Sequence, residues 1–187
     1  MIPTMVNEQV EYVLGVGTTQ CQILEPFAEP VVRFLHELSE ALRASAEATS
    51  FADIMTLSFW CRRGNLQQLR KDFDDDILRM GLGRVFHIAP SNVPINFAFS
   101  YFFGLLSGNS NVVRLPSRDF RQVDIVCETL ANLFASGNHP EVEQMTTFVR
   151  YGHDDEITRH FSAQSQARII WGGDATVRHI RSFEMPE

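Results

Sequence analysis

A chain of 187 residues with 44% hydrophobic and 21% charged positions can bury one core of ordinary size and is too apolar to be disordered. Its formal charge of -7, with an acidic run from Asp72 to Asp76 interrupted only by Phe73, offers little to a phosphate backbone, so no nucleic acid partner is expected. Three widely spaced cysteines without a CxxC pair argue against a disulfide framework and a zinc site, and no metal is expected. No basic segment precedes an apolar run near Glu8 and Glu11. The most apolar stretch, Val93 to Leu106, is too short to span a bilayer, so the expectation is a cytoplasmic protein without a membrane span.

In chain order, Glu11 to Val16 reads as a short strand ended by Gly15 and Gly17, with no role assigned. From Pro26, Val31, Phe34, Leu35, Leu38 and Leu42 recur at helical spacing, opposite Arg33, Glu37 and Glu40. A second helical stripe starts near Ser50 with Ile54, Leu57 and Cys61 and continues through Leu66 and Leu69 to the acidic run. At Gly83 the texture changes. Val85 to Ala89 reads as a buried strand, Pro90 to Pro94 as a turn, and Ile95 to Leu106 as a helix apolar almost all round. Asn111 to Leu115 is a second strand, followed by an amphipathic helix carrying Phe120, Val123, Cys127, Leu130 and Phe134, capped by Ser117 or Asp119. Gly137 to Pro140 breaks the chain. Thr146 to Val149 is a third strand, Asp154 to Phe161 a helix, Ala167 to Trp171 a fourth strand and Ala175 to Ile180 a last helix.

This alternation, with strands too apolar to expose a face, implies an α/β fold: a Rossmann-like, doubly wound, mostly parallel sheet (residues 83–187) preceded by a mainly helical segment (residues 1–82) packing on it. Ligands of such sheets bind where strand ends meet helix N-termini. Two strand ends are chemically distinctive, Pro90-Ser91-Asn92-Val93-Pro94 and Gly172-Gly173-Asp174. The Asn92 amide suits an oxyanion donor, although Ser91 and Asn92 also read as caps of the next helix with Pro94 at its first position. Gly172 and Gly173 would let backbone N–H groups approach a pyrophosphate, although Gly-Gly also serves ordinary turns, and no GxGxxG is present. Arg114 and Arg118 would suit a ribose 2′-phosphate or remain solvated surface charges. His153 to Glu156 fits a helix first turn better than a metal site. Cys127 lies on an apolar stripe. Cys61 has Arg62 and Arg63 beside it, which would lower its pKa, yet no other group nearby suggests a nucleophile.

Four ordered blocks carry a family resemblance. They are Ser58-Phe59-Trp60 with Arg62 to Leu66, Gly81 to Pro94, Gly104 to Ser117, and Ile169-Ile170-Trp171-Gly172-Gly173-Asp174. Together they closely resemble the LuxC-type fatty acyl-CoA reductases of the aldehyde-dehydrogenase superfamily, over roughly Ser58 to Arg181. The first fifty residues resemble it only loosely. The resemblance implies a dinucleotide-binding domain in which Asn92 helps polarise the substrate carbonyl. Pro90, Ser91, Arg114, Pro116, Ser117 and Arg118 would line the adenosine side, and Trp171, Gly172 and Gly173 the nicotinamide and pyrophosphate side. Many relatives carry Lys-Pro-Ser-Glu at the second strand end, the Glu holding the adenosine ribose. Here Leu115-Pro116-Ser117-Arg118 puts a cation in its place, so the expected cofactor is NADPH in preference to NADH. Lys71 is the single lysine of the chain, and the missing family lysine leaves its contact unassigned.

The implied reaction transfers an acyl group from coenzyme A to a cysteine thiolate, reduces that thioester with a hydride and releases an aldehyde. In the family the nucleophile follows the Trp-Gly-Gly strand, whereas Cys21, Cys61 and Cys127 all precede it here. The expectation is therefore the cofactor-binding portion of an acyl-CoA reductase, inactive alone, as a fragment, a truncated reading frame or the partner of a complementary catalytic chain. A homo-oligomer is also compatible. The alternative is a non-catalytic nucleotide-binding or interaction module on the same fold. A flavodoxin-like or other doubly wound domain predicts no role for Asn92.

Overall fold

The computed structural model describes residues 9–15, 21–73 and 77–186. Glu8, Val16, Gly17 and the acidic positions Asp74 to Asp76 lie outside the described residues. The elements follow as β1 (Glu11–Leu14), α1 (Glu29–Ala44), a 3-10 turn (Ala48–Ser50), α2 (Ala52–Trp60), α3 (Arg63–Phe73), β2 (Arg84–Ile88), α4 (Asn96–Leu106), β3 (Ser110–Arg114), α5 (Arg121–Ala135), α6 (Pro140–Gln144), β4 (Thr146–Arg150), α7 (Asp155–Ala163), β5 (Ala167–Ile170) and α8 (Asp174–Arg181).

The five strands form one sheet in the order β1-β4-β3-β2-β5. β2, β3, β4 and β5 are parallel, and β1 pairs antiparallel with β4. The fold is therefore α/β, Rossmann-like and doubly wound, as the alternation of strands and helices predicts. Strand β1 comes from the largely helical N-terminal part yet extends the sheet at its edge. The order of the parallel strands reverses between β2 and β5. The chain leaves β2 by way of α4 to build β3 and β4 on one side, then returns through α7 to build β5 on the other.

Each inner strand sends alternate residues into two cores because successive side chains point to opposite faces. Val113 and Phe148 join a large core with α1 to α6, while Phe86, Ile88, Val112 and Val149 join a smaller one with Ile157 and Phe161 of α7 and Ile180 of α8. Helix α1 buries Val31, Phe34, Leu35, Leu38 and Leu42 and packs against α4 and α5. A fully buried Phe34 or Leu35 contributes about 1.5–3 kcal/mol each. Pro30 in the first turn, Glu29 ahead of it and Arg43 in the last turn suit the helix ends and dipole.

Three local expectations are corrected. The stripe after Ser50 is two helices, broken at Cys61 and Arg62, where the Asn65 side chain donates to the Trp60 carbonyl at 2.9 Å. Helix α5 is capped neither by Ser117 nor by Asp119, since it starts after Phe120 and no side chain bonds its first N–H groups. Phe120 is drawn into the large core, so the N-cap is set by packing. The break from Gly137 to Pro140 leads into a short helix, α6, with Pro140 in its first turn. Gly108 closes the α4–β3 connection at φ +79°, and a Cβ there would lie 2.1 Å from the Leu24 carbonyl oxygen. Both conformation and space require glycine at that position.

Candidate functional site

The parallel register places Ile88 beside Ile170 and also beside Arg114, so the C-terminal tips of β5, β2 and β3 stand in a row. The Trp171 N–H donates to the Ile88 carbonyl at 3.0 Å and carries the β5–β2 pairing one residue further. Above these tips opens a crevice of about 1080 Å³. That is the scale of a small-molecule site, for which about 300–1,000 Å³ is usual. It lies at the topological switch point, where open α/β sheets bind their ligands.

The crevice gathers Pro90, Ser91 and Asn92 from the β2 tip, Arg114, Ser117 and Arg118 from the β3 tip, and Trp171, Gly172 and Gly173 from the β5 tip. Pro116 is buried beneath the rim and does not line it. Neither Ser91 nor Asn92 caps α4, whose N-cap is Ile95 without a side-chain bond, and Pro94 lies before the helix in the turn. Asn92 is exposed, and its amide has no hydrogen-bond partner among the described residues. Because the turn from Ala89 to Ile95 separates β2 from α4, the first helix N-terminus stands back from the strand tip. This is the physical counterpart of the missing GxGxxG.

Two other helix N-termini reach the crevice, and they differ chemically. Asp154 is the N-cap of α7 and accepts from the Ile157 N–H at 3.0 Å, and Asp155 and Glu156 follow in the first turn. That end is already occupied by carboxylates and repels phosphate. Its cap is the reading expected for His153 to Glu156, and no group of ligating side chains among the described residues could hold a metal. Helix α8 begins after Gly173 with no side-chain cap bond; it carries a single acid in its first turn, Asp174, which does not line the crevice, while Ala175 and Thr176 line it beside both glycines. A Cβ on Gly173 would meet nothing within 4 Å, so the backbone there is open to an incoming group. Free N–H groups at such an end favour an anion.

The two arginines part company. The Arg114 guanidinium donates to the Gly152 carbonyl at 2.8 Å and to that of Tyr151 at 3.5 Å, and lies 4.5 Å from the centre of the Tyr151 ring. It ties the β3 tip to the chain leaving β4. Arg118 is exposed on the rim, with no hydrogen-bond or ion-pair partner among the described residues.

Beneath the rim lies a polar group that the sequence reading did not single out. His87, in the middle of β2, is fully buried, with Nδ1 2.8 Å from Ser100 Oγ and Nε2 2.8 Å from Asn111 Oδ1. Burial pulls its pKa from the usual 6.5 down to about 4, partly offset by the bond to Asn111. The Trp171 indole N–H donates to the same Ser100 oxygen at 3.1 Å. The available signal was a polar residue beside the apolar run of each of three elements: His87 after Val85 and Phe86, Ser100 inside α4, and Asn111 before Val112 and Val113.

With this geometry established, comparison with protein families matches residues 29–187 to the family described as Acyl-CoA reductase (LuxC). The chain belongs to this family. Neither the curated proteins nor the solved structures return a match. Membership in the LuxC family carries acyl-CoA reductase chemistry, with a nicotinamide cofactor and an acyl-thioester substrate. No helix among the described residues is long and apolar enough to cross a membrane.

None of the LuxC-family chain's three cysteines lines the crevice. Cys61 is buried, and desolvation pushes its thiol well up despite the adjacent Arg62 and Arg63, contrary to the expected lowering. Arg62 instead lies over the Phe59 ring, 5.2 Å from its centre. Burial likewise raises Cys127, to about 12. Cys21 is exposed but sits near Gln166, which bonds the start of β2 at the opposite end of the sheet.

Proposed function

We propose that this chain forms the dinucleotide-binding portion of an enzyme that reduces fatty acyl-CoA to aldehyde with NADPH, through a thioester on a cysteine outside these residues. The observation that carries the proposal is the meeting of Asn92, Arg118 and Gly172-Gly173 in one crevice at the switch point of a LuxC-family sheet. In this reading residues 83–187 are the nucleotide-binding unit and residues 1–82 brace it.

The uncapped α8 end with Gly172 and Gly173 takes the pyrophosphate, and Arg118 with Ser117 takes the adenosine ribose and its 2′-phosphate. Arg114 is committed to backbone carbonyls and shapes that rim without meeting the phosphate. Pro90 and Pro94 stiffen the turn that presents Asn92, whose amide N–H donates to the acyl carbonyl oxygen as negative charge develops there. The reduced nicotinamide supplies the hydride when bound. The acyl thioester would enter from the partner half that carries the thiolate.

Isothermal titration tests the cofactor assignment. The wild-type chain should bind NADPH more tightly than NADH, and Arg118→Glu should weaken NADPH by about tenfold or more while sparing NADH. Tighter binding of NADH by the wild type would overturn it. In a preparation that turns over acyl-CoA, Asn92→Ala should lower kcat by about 10²–10³-fold with NADPH affinity preserved. Unchanged turnover would remove its assigned role.

A second reading, a nucleotide-binding module without turnover of its own, draws on the placement of all three cysteines away from the crevice. It requires saturable NADPH binding with no release of free coenzyme A from acyl-CoA, whatever chain is added.

A further inference from the structure

The hydrogen-bond directions beneath the crevice can be assigned from one end. The Asn111 amide nitrogen donates to the Asn109 carbonyl at 2.6 Å, which turns Asn111 Oδ1 toward His87 Nε2. That oxygen only accepts, so Nε2 carries the proton. Nδ1 of the neutral ring is then an acceptor, and the Ser100 hydroxyl donates to it. The Ser100 oxygen is left to accept the Trp171 indole N–H. All four bonds run one way, from Trp171 through Ser100, His87 and Asn111 to a backbone carbonyl, and every member but Trp171 is buried.

Trp171 itself is 45% exposed and lines the crevice. A half-exposed indole at a strand tip has few packing contacts to fix it. Here its N–H is anchored to a hydroxyl that is itself held at both ends. Gly104 makes the anchor possible, because a Cβ on that residue would lie 2.0 Å from Asn111 Oδ1 and 2.9 Å from the His87 ring.

We propose that Ser100, His87 and Asn111 are positioning residues that hold the Trp171 indole as the wall on which the nicotinamide half of the dinucleotide lies. The proposal rests on the crevice binding a dinucleotide with its nicotinamide toward β5. It assigns to three buried side chains, none of which touches the cofactor, control over the reactive half of the ligand and not over the adenosine half. Fixing the ring before binding reduces the ordering cost at that end alone.

The experiment follows the Trp171 indole N–H proton resonance, assigned with Trp60→Phe, and the affinities for NADPH and adenosine 2′,5′-bisphosphate. Ser100→Ala should shift the Trp171 resonance in the free chain and weaken NADPH about three- to tenfold, the range of one ordinary hydrogen bond, with the bisphosphate unchanged. Because Ser100→Ala also leaves His87 Nδ1 unpaired in the core, Trp171→Phe provides the second variant. It keeps an aromatic ring at the exposed end and removes the N–H donor together with one of the two fused rings. It should weaken NADPH similarly, and the double variant should be no worse than either single one. An unmoved Trp171 resonance, equal weakening of both ligands, or additive losses would overturn the proposal. If the wild-type chain binds neither ligand, the dinucleotide reading fails, and the cofactor role given to the network fails with it. The resonance would still decide separately whether Ser100 holds the ring.

Discussion

Gly104→Ala is expected to destabilise the fold by about 2–4 kcal/mol, a substantial part of the roughly 5–15 kcal/mol that holds a domain together. Gly104 sits in α4, where alanine is intrinsically the better helix former by about 1 kcal/mol, so propensity alone predicts stabilisation. Space reverses the sign. The added methyl would stand 2.0 Å from Asn111 Oδ1 and 2.9 Å from His87 Cε1 and Nε2. Neither neighbour is the free end of a flexible chain, since the His87 ring is bonded at both nitrogens and the Asn111 amide at both atoms. Relief requires α4 to move off the sheet, at about 1–3 kcal/mol for overpacking, or the His87–Asn111 bond to break inside the core, at about another 1–3 kcal/mol. Urea unfolding measures this directly, with the midpoint falling by about 1–2 M. Gly64→Ala is the control, because that residue lies in α3 and a methyl added there would meet nothing within 4 Å. Its midpoint should stay or rise. A Gly104→Ala midpoint equal to wild type would show that the α4–sheet contact has slack that the close approach denies.

Much of the α/β part is legible in the sequence because each element there obeys one period. The run from Val85 to Ala89 that makes most of β2 is short and apolar but for His87, and α5 repeats Val123, Cys127, Leu130 and Phe134 on the face it buries. Their order, with the chemistry of the Pro90–Pro94 turn and Gly172-Gly173, was enough to anticipate that two strand tips would share a crevice. What escaped was decided by tertiary contacts. The α2–α3 break is the exception, because Leu66 follows Cys61 by five residues and so falls out of phase with the stripe of Ile54, Leu57 and Cys61. The position of β1 could be read, but its antiparallel pairing with β4 depends on partners such as Arg150 and Val149, far along the chain. Arg114 and Arg118 look equivalent in sequence. Only the folded chain shows that the Tyr151 and Gly152 carbonyls claim one and leave the other at the rim. The His87 network was hidden for a related reason, since its three members are polar residues spread over three separate elements that become one object only when α4 packs on the sheet.

That network makes stability depend on pH in a window where few groups titrate. His87 is depressed from 6.5 to about 4 in the folded chain, first by desolvation, while the unfolded chain leaves it near the ordinary value. Between those values the unfolded state binds the proton that the folded state refuses. The stabilising contribution is therefore complete above about pH 6.5, falls as the pH is lowered and is exhausted near pH 4. At about 1.36 kcal/mol per pH unit the loss is on the order of 3 kcal/mol. A proton on Nδ1 would also deprive the Ser100 hydroxyl of its acceptor. Carboxylates begin to contribute toward the lower end, so the useful quantity is a difference. His87→Gln should be less stable than wild type at pH 7, because the Ser100 contact loses its ring partner, but its urea midpoint should vary less between pH 6.5 and 4.5. The gap between the two proteins should narrow as the solution is acidified, with the other histidines common to both. Midpoints that fall in parallel would mean that His87 takes up its proton without leaving the fold. The fixed tautomer that anchors the indole at the crevice would then have to be abandoned.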